Sequence, residues 1–429
     1  MKLGFKRCMS SNYFTGTVGA SETSPVIKWI ATILVFMLPI SAHYAPAFNY
    51  TSIGLLAASL LYLANHWRDI NISRPAKLFI AASFAFPVAV VLNMLVFNDW
   101  QWFWLDNPSR LILVLPVFIL MANIRLNPLW LCLSILLSAC IFGWTAIYQS
   151  NVLGISRVNG WITVLRSPIT FGNAALLLSV LSVATYPFIK SKFGFKWAGL
   201  VVIPAASLAA YASLLSGTRG GWISVPFLLI VLLVGASKRP LLSKFLVFLL
   251  GLLFFTAIYI AIDSVAARVD QAWNELAYMV ESGEFTSGSV GTRLQMWWAA
   301  VLLFVDAPIF GVGLGNYQGA KQVLIEQGLI TSAISRFGYA HSEPFHYLAE
   351  MGLTGVVSLL LLYCSGFWLV LKRMHFNKQI AVMAMLVLML RFDISLTQVQ
   401  FVYHYTTLLY AMMFAVLAGL MCNPHYQNN

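Results

Sequence analysis

Apolar runs about 20 residues long recur along this 429-residue chain, separated by short polar connections. A helix needs about 20 such residues to cross the hydrocarbon of a bilayer. The pattern predicts about twelve spanning helices, at 27–43, 47–65, 77–97, 109–122, 127–147, 168–188, 197–215, 221–236, 244–262, 352–371, 379–391 and 400–421. The runs are continuous rather than alternating, which excludes a β-barrel. The fold class expected is an all-α polytopic membrane protein. One long polar stretch interrupts the series, so the chain divides into a bundle of nine spans (1–262), a loop (263–351) and three closing spans (352–429). Within the loop, residues 294–305 are apolar but too few to span, and suit a short interfacial helix ending before Asp306-Ala307-Pro308.

Composition agrees with this reading. The chain is 60% hydrophobic and 9% charged, with a mean hydropathy of +0.81; soluble domains carry about 25% charged residues. The net charge of +12 does not indicate nucleic-acid binding, because the basic residues are dispersed over many connections. The first run follows Lys2, Lys6 and Arg7 without a small-residue cleavage site and reads as a retained span. The five cysteines (Cys8, Cys132, Cys140, Cys364 and Cys422) lie outside the loop, and neither a disulfide framework nor a metal spacing is expected there.

Charge also orients the chain. The connections near Arg68/Arg74, Arg125, Lys190/Lys192/Lys196, Lys238/Arg239 and Lys372/Arg373/Lys378 alternate with poorly charged ones and, with the N-terminus, form the cytoplasmic set. That set holds 17 of the 26 Lys and Arg, as 11 Lys and 6 Arg. The remaining nine are Arg110, Arg157, Arg166, Arg219, Arg268, Arg293, Lys321, Arg336 and Arg391, eight of them arginine. A guanidinium grips phosphate or carboxylate with two parallel hydrogen bonds, so this bias is consistent with an anionic substrate on the outer side. Trp100, Trp102, Phe103 and Trp104, on an outer connection, read as an interfacial belt, with a sugar-stacking platform as the alternative.

Several outer-side residues are placed for chemistry. Arg219 lies between glycines in Ser216-Gly217-Thr218-Arg219-Gly220-Gly221-Trp222, at a membrane boundary where a charge needs a partner, water or a ligand. Arg293 follows Ser289-Val290-Gly291-Thr292 at the start of the short loop helix, where a cation opposes the helix dipole and so hints at an anionic ligand. Gly311-Val312-Gly313-Leu314-Gly315 lacks the strand-before, helix-after setting of a nucleotide loop and reads as a flexible turn. His341 precedes a helix start at Pro344 and is the candidate general base, with Glu343, Glu350 or His346 able to orient it. Glu343, Glu350, Arg336 and Arg391 are candidates for substrate binding. Arg391 could pair with Asp393, either for function or for helix packing, and His404 and Tyr405 read as structural.

These stretches resemble the O-antigen ligase/polymerase superfamily. Ser216 to Trp222 resembles its SGSRGxW-type element. Arg293-Leu-Gln-Met-Trp297 followed by Ala307-Pro308 to Tyr317 resembles its R-x-x-x-W and P-x-x-G-x-G-x-G-x-[YF] elements. His341, Leu348, Glu350 and Gly352 match its histidine motif, while Ser342, Phe345 and His346 stand where Asn, Leu and Gln are usual. The resemblance implies glycosyl transfer from undecaprenyl diphosphate at the periplasmic face of the bacterial inner membrane. Arg219 and Arg293 would bind the diphosphate and His341 would activate the acceptor. No cofactor, metal or nucleotide is expected; the partners implied are the lipid-linked glycan, a lipid A–core acceptor and membrane lipids. The ligase is favoured, with an O-antigen polymerase and a protein O-oligosaccharyltransferase as alternatives. A polysaccharide transporter would instead call for mid-span charges and an inverted repeat, whereas the chain offers one candidate ion pair and no repeat.

Overall fold

A computed structural model describes residues 24–426 other than 71, 161–166, 219–220, 223–224, 236–244, 246–248, 250–252, 254–255, 257–258 and 261–262. Among the described residues there is no strand. The helices are α1 (Pro25–Ser41), α2 (Ala45–His66), α3 (Arg74–Ser83), α4 (Ala85–Phe97), α5 (Phe103–Leu113), α6 (Leu115–Asn123), α7 (Pro128–Asn151), α8 (Pro168–Phe193), α9 (Phe195–Leu215), α10 (Val225–Gly235), α11 (Asp263–Ser282), α12 (Ser289–Asp306), α13 (Tyr317–Glu326), α14 (Glu343–Arg373), α15 (Lys378–Thr397) and α16 (His404–Cys422). The protein is an all-α polytopic membrane protein.

Nine helical stretches among the described residues are long and apolar enough to cross a bilayer, and each falls on one of the predicted runs. Two are built from a pair of helices, α3 with α4 and α5 with α6. Pro87 and Pro116 explain the breaks: proline donates no hydrogen bond to the carbonyl four residues back, and its ring crowds that carbonyl. The run at 27–43 is the 17-residue α1, and that at 221–236 contains the 11-residue α10. Most of 244–262 lies outside the described residues.

Three helices form the centre of the bundle. In their most apolar windows α16 is 94% buried, α8 83% and α15 78%, against 33% for α2 and α9. Two polar groups tie α16 to its neighbours. Tyr405 donates its hydroxyl to Ala42 O at 2.5 Å, and His404 Nε2 lies 3.0 Å from Asn49 Oδ1, which anchors the start of α16 on α1 and α2.

The loop rests on α14, which is not one straight helix. Gly352 has φ 60° and ψ −143°, so the helical ladder is cut between Met351 and Leu353. A cut of this kind leaves carbonyls and N–H groups of the adjoining turns without helical partners. Here four of them are re-used. Ala349 O and Glu350 O accept from Val312 and Gly313 N–H at 2.9 and 3.0 Å. Leu353 and Thr354 N–H donate to Pro308 O and Ile309 O at 2.9 and 3.3 Å. A Cβ at Gly352 would sit 2.5 Å from Pro308 O, and one at Gly311 would sit 2.4 Å from Ala349 O. The glycine-rich turn is therefore a backbone clamp on the kink. The expectation of a flexible turn is corrected, because four backbone hydrogen bonds and the Asn93 side chain, which accepts from Leu314 N–H and donates to Phe310 O, pin it.

Candidate functional site

The short loop helix is longer than expected, and its start changes the reading of Arg293. α12 begins at Ser289, so Arg293 is its fifth residue, a full turn in, where the dipole penalty has faded. The free N–H groups at the helix start are already occupied: Glu275, on α11, accepts from Val290 N and Gly291 N at 2.9 and 3.2 Å. The anion at this terminus is a carboxylate of the protein itself. Glu275 also accepts from Gln271 Nε2 at 3.0 Å, which orients it.

The Arg-x-x-x-Trp spacing now has a physical account. Residues four apart share a helix face. One side of α12, with Gln295, Met296, Ala299, Ala300 and Leu303, is buried, and the helix packs on α14. Trp297 donates its indole N–H to Ala340 O at 3.0 Å and stacks on Phe345 with ring centroids 5.1 Å apart and planes 6° from parallel. The tryptophan thus fixes the residue before His341. Arg293, one turn earlier, is half-buried, and among the described residues it makes no hydrogen bond or ion pair. Burial lowers its pKa, and a guanidinium stays charged at neutral pH.

His341 has φ 49°, a left-handed conformation that non-glycine residues adopt rarely and often at functional sites. Its ring meets Phe337 edge-on at 5.5 Å. Burial lowers its pKa below 6.5, and the charges of Arg293 and then Lys321 push it further down. The imidazole is therefore neutral at pH 7 and able to accept a proton. Arg293 and Lys321 lie close enough to act on it electrostatically, so the loop gathers an imidazole and two cations.

The remaining candidates divide. Glu343 has no exposed surface and all its acceptor positions are taken. It accepts from Arg391 Nη1 and Nη2 at 3.0 and 3.3 Å, and from Gln400 and Phe401 N–H at 3.0 Å each. Arg391 also lies over the rings of Phe401 and Tyr363, at 4.9 and 5.9 Å. This corrects one expectation: the carboxylate paired with Arg391 is that of Glu343, 48 residues earlier, and the pair joins α14 to α15. Glu350 is buried as well. Its Oε1 accepts from Tyr317 N at 3.3 Å, and its Oε2 lies 3.4 Å from His346 Nε2, so it supports the glycine turn and does not reach His341 as an orienting partner. Arg336 is exposed, with its guanidinium 4.9 Å above Phe337, on the loop beside His341. Arg219 and Arg166 lie outside the described residues. The turn just before Arg219 is well held: Arg157 Nε donates to Ser216 O at 2.8 Å, and Thr218 donates to Pro168 O at 2.9 Å.

Sequence reasoning passed over Lys321, which it counted among the outer cations and gave no role. It has no exposed surface, and its Nζ donates to Ile334 O at 2.8 Å and to Phe337 O. Nothing in the local pattern marks a lysine on the polar helix α13 as buried; its burial comes from the loop folding back over it.

These features define an integral membrane protein that carries a basic, histidine-containing site on a loop between spans. Residues 204–360, which include Arg219, Arg293, Lys321 and His341, match the family model described as O-antigen ligase, which supports the O-antigen ligase superfamily. The chain is also 27% identical over 335 residues to an uncharacterized protein of Haemophilus influenzae, across 76% of this chain and 81% of that protein.

Proposed function

We propose that this protein is a lipopolysaccharide O-antigen ligase, which transfers a glycan from undecaprenyl diphosphate to a sugar hydroxyl of lipid A–core. The observation that carries the proposal is the neutral His341 beside an unpartnered, half-buried Arg293, within the segment that matches the O-antigen ligase family. In this reading the acceptor hydroxyl gives its proton to the His341 imidazole as its oxygen attacks the anomeric carbon. The bond between that carbon and the diphosphate oxygen breaks, and direct displacement inverts the configuration. The leaving diphosphate gains negative charge, which fixed guanidinium groups stabilise in a water-poor site. Arg293 supplies one, and Arg219 is assigned the second from its motif. The donor carries its own driving force in the diphosphate, so no nucleotide is consumed. The site faces the periplasm of the inner membrane by the charge asymmetry of the connections, where 17 of 26 cations lie on the opposite side.

The test is lipopolysaccharide banding in a ligase-deficient host of matching glycan type. Wild type should restore the long-chain ladder, and His341→Ala, Arg293→Ala and Arg219→Ala at equal membrane expression should not. Failure of wild type while lipid-linked repeats lengthen in its presence would replace the ligase with a polymerase. Variants as active as wild type would refute the assigned chemistry.

A further inference from the structure

An ammonium group with no exposed surface is uncommon unless it is paired. Lys321 is such a group, and among the described residues no carboxylate forms an ion pair with it. Its Nζ instead serves two backbone carbonyls, Ile334 O and Phe337 O, and lies 5.4 Å from the centre of the Tyr317 ring. Both carbonyls belong to the segment that begins with the 3₁₀ turn Ser332–Ile334 and runs without further helix to His341. Phe337 carries the ring that meets His341. The segment is thus held at two points, by Lys321 at Ile334 and Phe337 and by Trp297 at Ala340. Directly after Ala340, His341 keeps its left-handed backbone.

Two carbonyls can be satisfied by a neutral donor at a much smaller desolvation cost than by a cation. The charge therefore needs a separate reason, and the neighbouring imidazole provides one. The charged and titratable groups that face His341 are Arg293 on α12, Lys321 on α13 and His346 on α14. Burial lowers the pKa of Lys321 to about 8, so it remains mostly cationic at neutral pH.

We propose that Lys321 is a positioning residue for His341: it clamps the Ile334–Phe337 segment against the imidazole and sets a like charge near it. The proposal rests on the reading of His341 as the base and adds a residue which acts through it.

The experiment uses the full-length protein in membranes, with Lys321→Arg, Lys321→Gln and Lys321→Met beside wild type. Carbethoxylation of His341 by diethylpyrocarbonate, followed by mass spectrometry across pH, reports its protonation, and ligation rate across pH reports its use. In the Gln and Met variants the labelling midpoint should rise by roughly half a unit or more, since a like charge has been removed. The acid limb of ligation should rise with it, and the rate at neutral pH should fall several-fold. The Arg variant should keep the wild-type midpoint and recover most of the rate. A midpoint unmoved in both neutral variants overturns the proposal. If neither folds, Phe337→Leu decides the clamp: it removes the ring between clamp and imidazole and leaves Lys321 in place. Its ligation should fall several-fold, and an unchanged rate overturns the clamp. Labelling does not depend on the reaction. A shifted midpoint in a protein whose wild type fails to ligate would refute the proposed function and leave the coupling of Lys321 to His341 standing.

Discussion

Trp297 and Ala340 are joined by an indole N–H donated to a backbone carbonyl at 3.0 Å, across 43 residues of chain. This one bond makes the position of His341 depend on α12, the helix that also carries Arg293. Trp297→Phe keeps a ring to stack on Phe345 and deletes only the donor. One neutral hydrogen bond is worth about 1 kcal/mol of stability. Transfer should suffer more, because a misplacement near 1 Å can cost about a hundredfold in rate. The expected outcome is a small drop in melting temperature with at least a tenfold loss of ligation. Equal activity in the two proteins would show that Ala340 holds its place without the bond.

Arg293 should behave in the opposite way from a structural arginine. It is half-buried and makes no ion pair or hydrogen bond among the described residues, so the folded protein gains little from its charge. Arg293→Gln should leave thermal stability unchanged or slightly raised. If it stabilises the leaving diphosphate, kcat/KM should fall by about 2–4 kcal/mol of transition-state energy, a factor on the order of a hundred or more. Arg293→Lys should recover only part of this, because an ammonium cannot offer the planar two-point contact. A variant that loses stability and activity together would return Arg293 to the scaffold.

The pH dependence follows from the surroundings of His341. Burial comes first, then the charges of Arg293 and Lys321, and all three disfavour the imidazolium. The folded pKa is therefore depressed below 6.5. A general base works in its neutral form, so activity should be full above this value and fall as pH drops through it. The acid limb of kcat/KM should lie below pH 6.5, and in Arg293→Gln it should move upward because one repelling charge is gone. A limb above 6.5 in wild type would mean that the group being titrated is not His341 in this environment.

How much of this could be read before folding depends on the range of each interaction. The nine long helices follow from local hydropathy and were legible, whereas Arg293 and Trp297 were marked only by the resemblance of their stretch to the family's Arg-x-x-x-Trp element. The partner of Arg391 was not. Asp393 is two residues away and invites pairing, but helical residues two apart point to different faces, and the carboxylate that binds Arg391 comes from Glu343 on another helix. Lys321 was hidden for a related reason, since its burial is made by the Ile334–Phe337 segment closing over α13. The glycine turn suggested freedom by composition, and only the break at Gly352 reveals which orphaned carbonyls it serves.

The Glu343–Arg391 pair gives the strongest test of the division between scaffold and site. The two charges are buried between helices, and the carboxylate also accepts from the N–H groups of Gln400 and Phe401. Removing one partner leaves the other charge unmatched in a low-dielectric interior, which costs about 3–5 kcal/mol. Arg391→Met and Glu343→Gln should each lower melting temperature and membrane yield steeply. The two effects should not add, because the second substitution removes a charge that the first has already stranded. In the double variant the uncompensated charge is gone, so stability should recover well above either single variant, and ligation should recover with it. Had either side chain bound substrate, the double variant would be stable and inactive. Stability and ligation measured on the same four membrane preparations separate the two roles: recovery of both assigns the pair to packing, and recovery of stability alone returns Glu343 or Arg391 to the substrate.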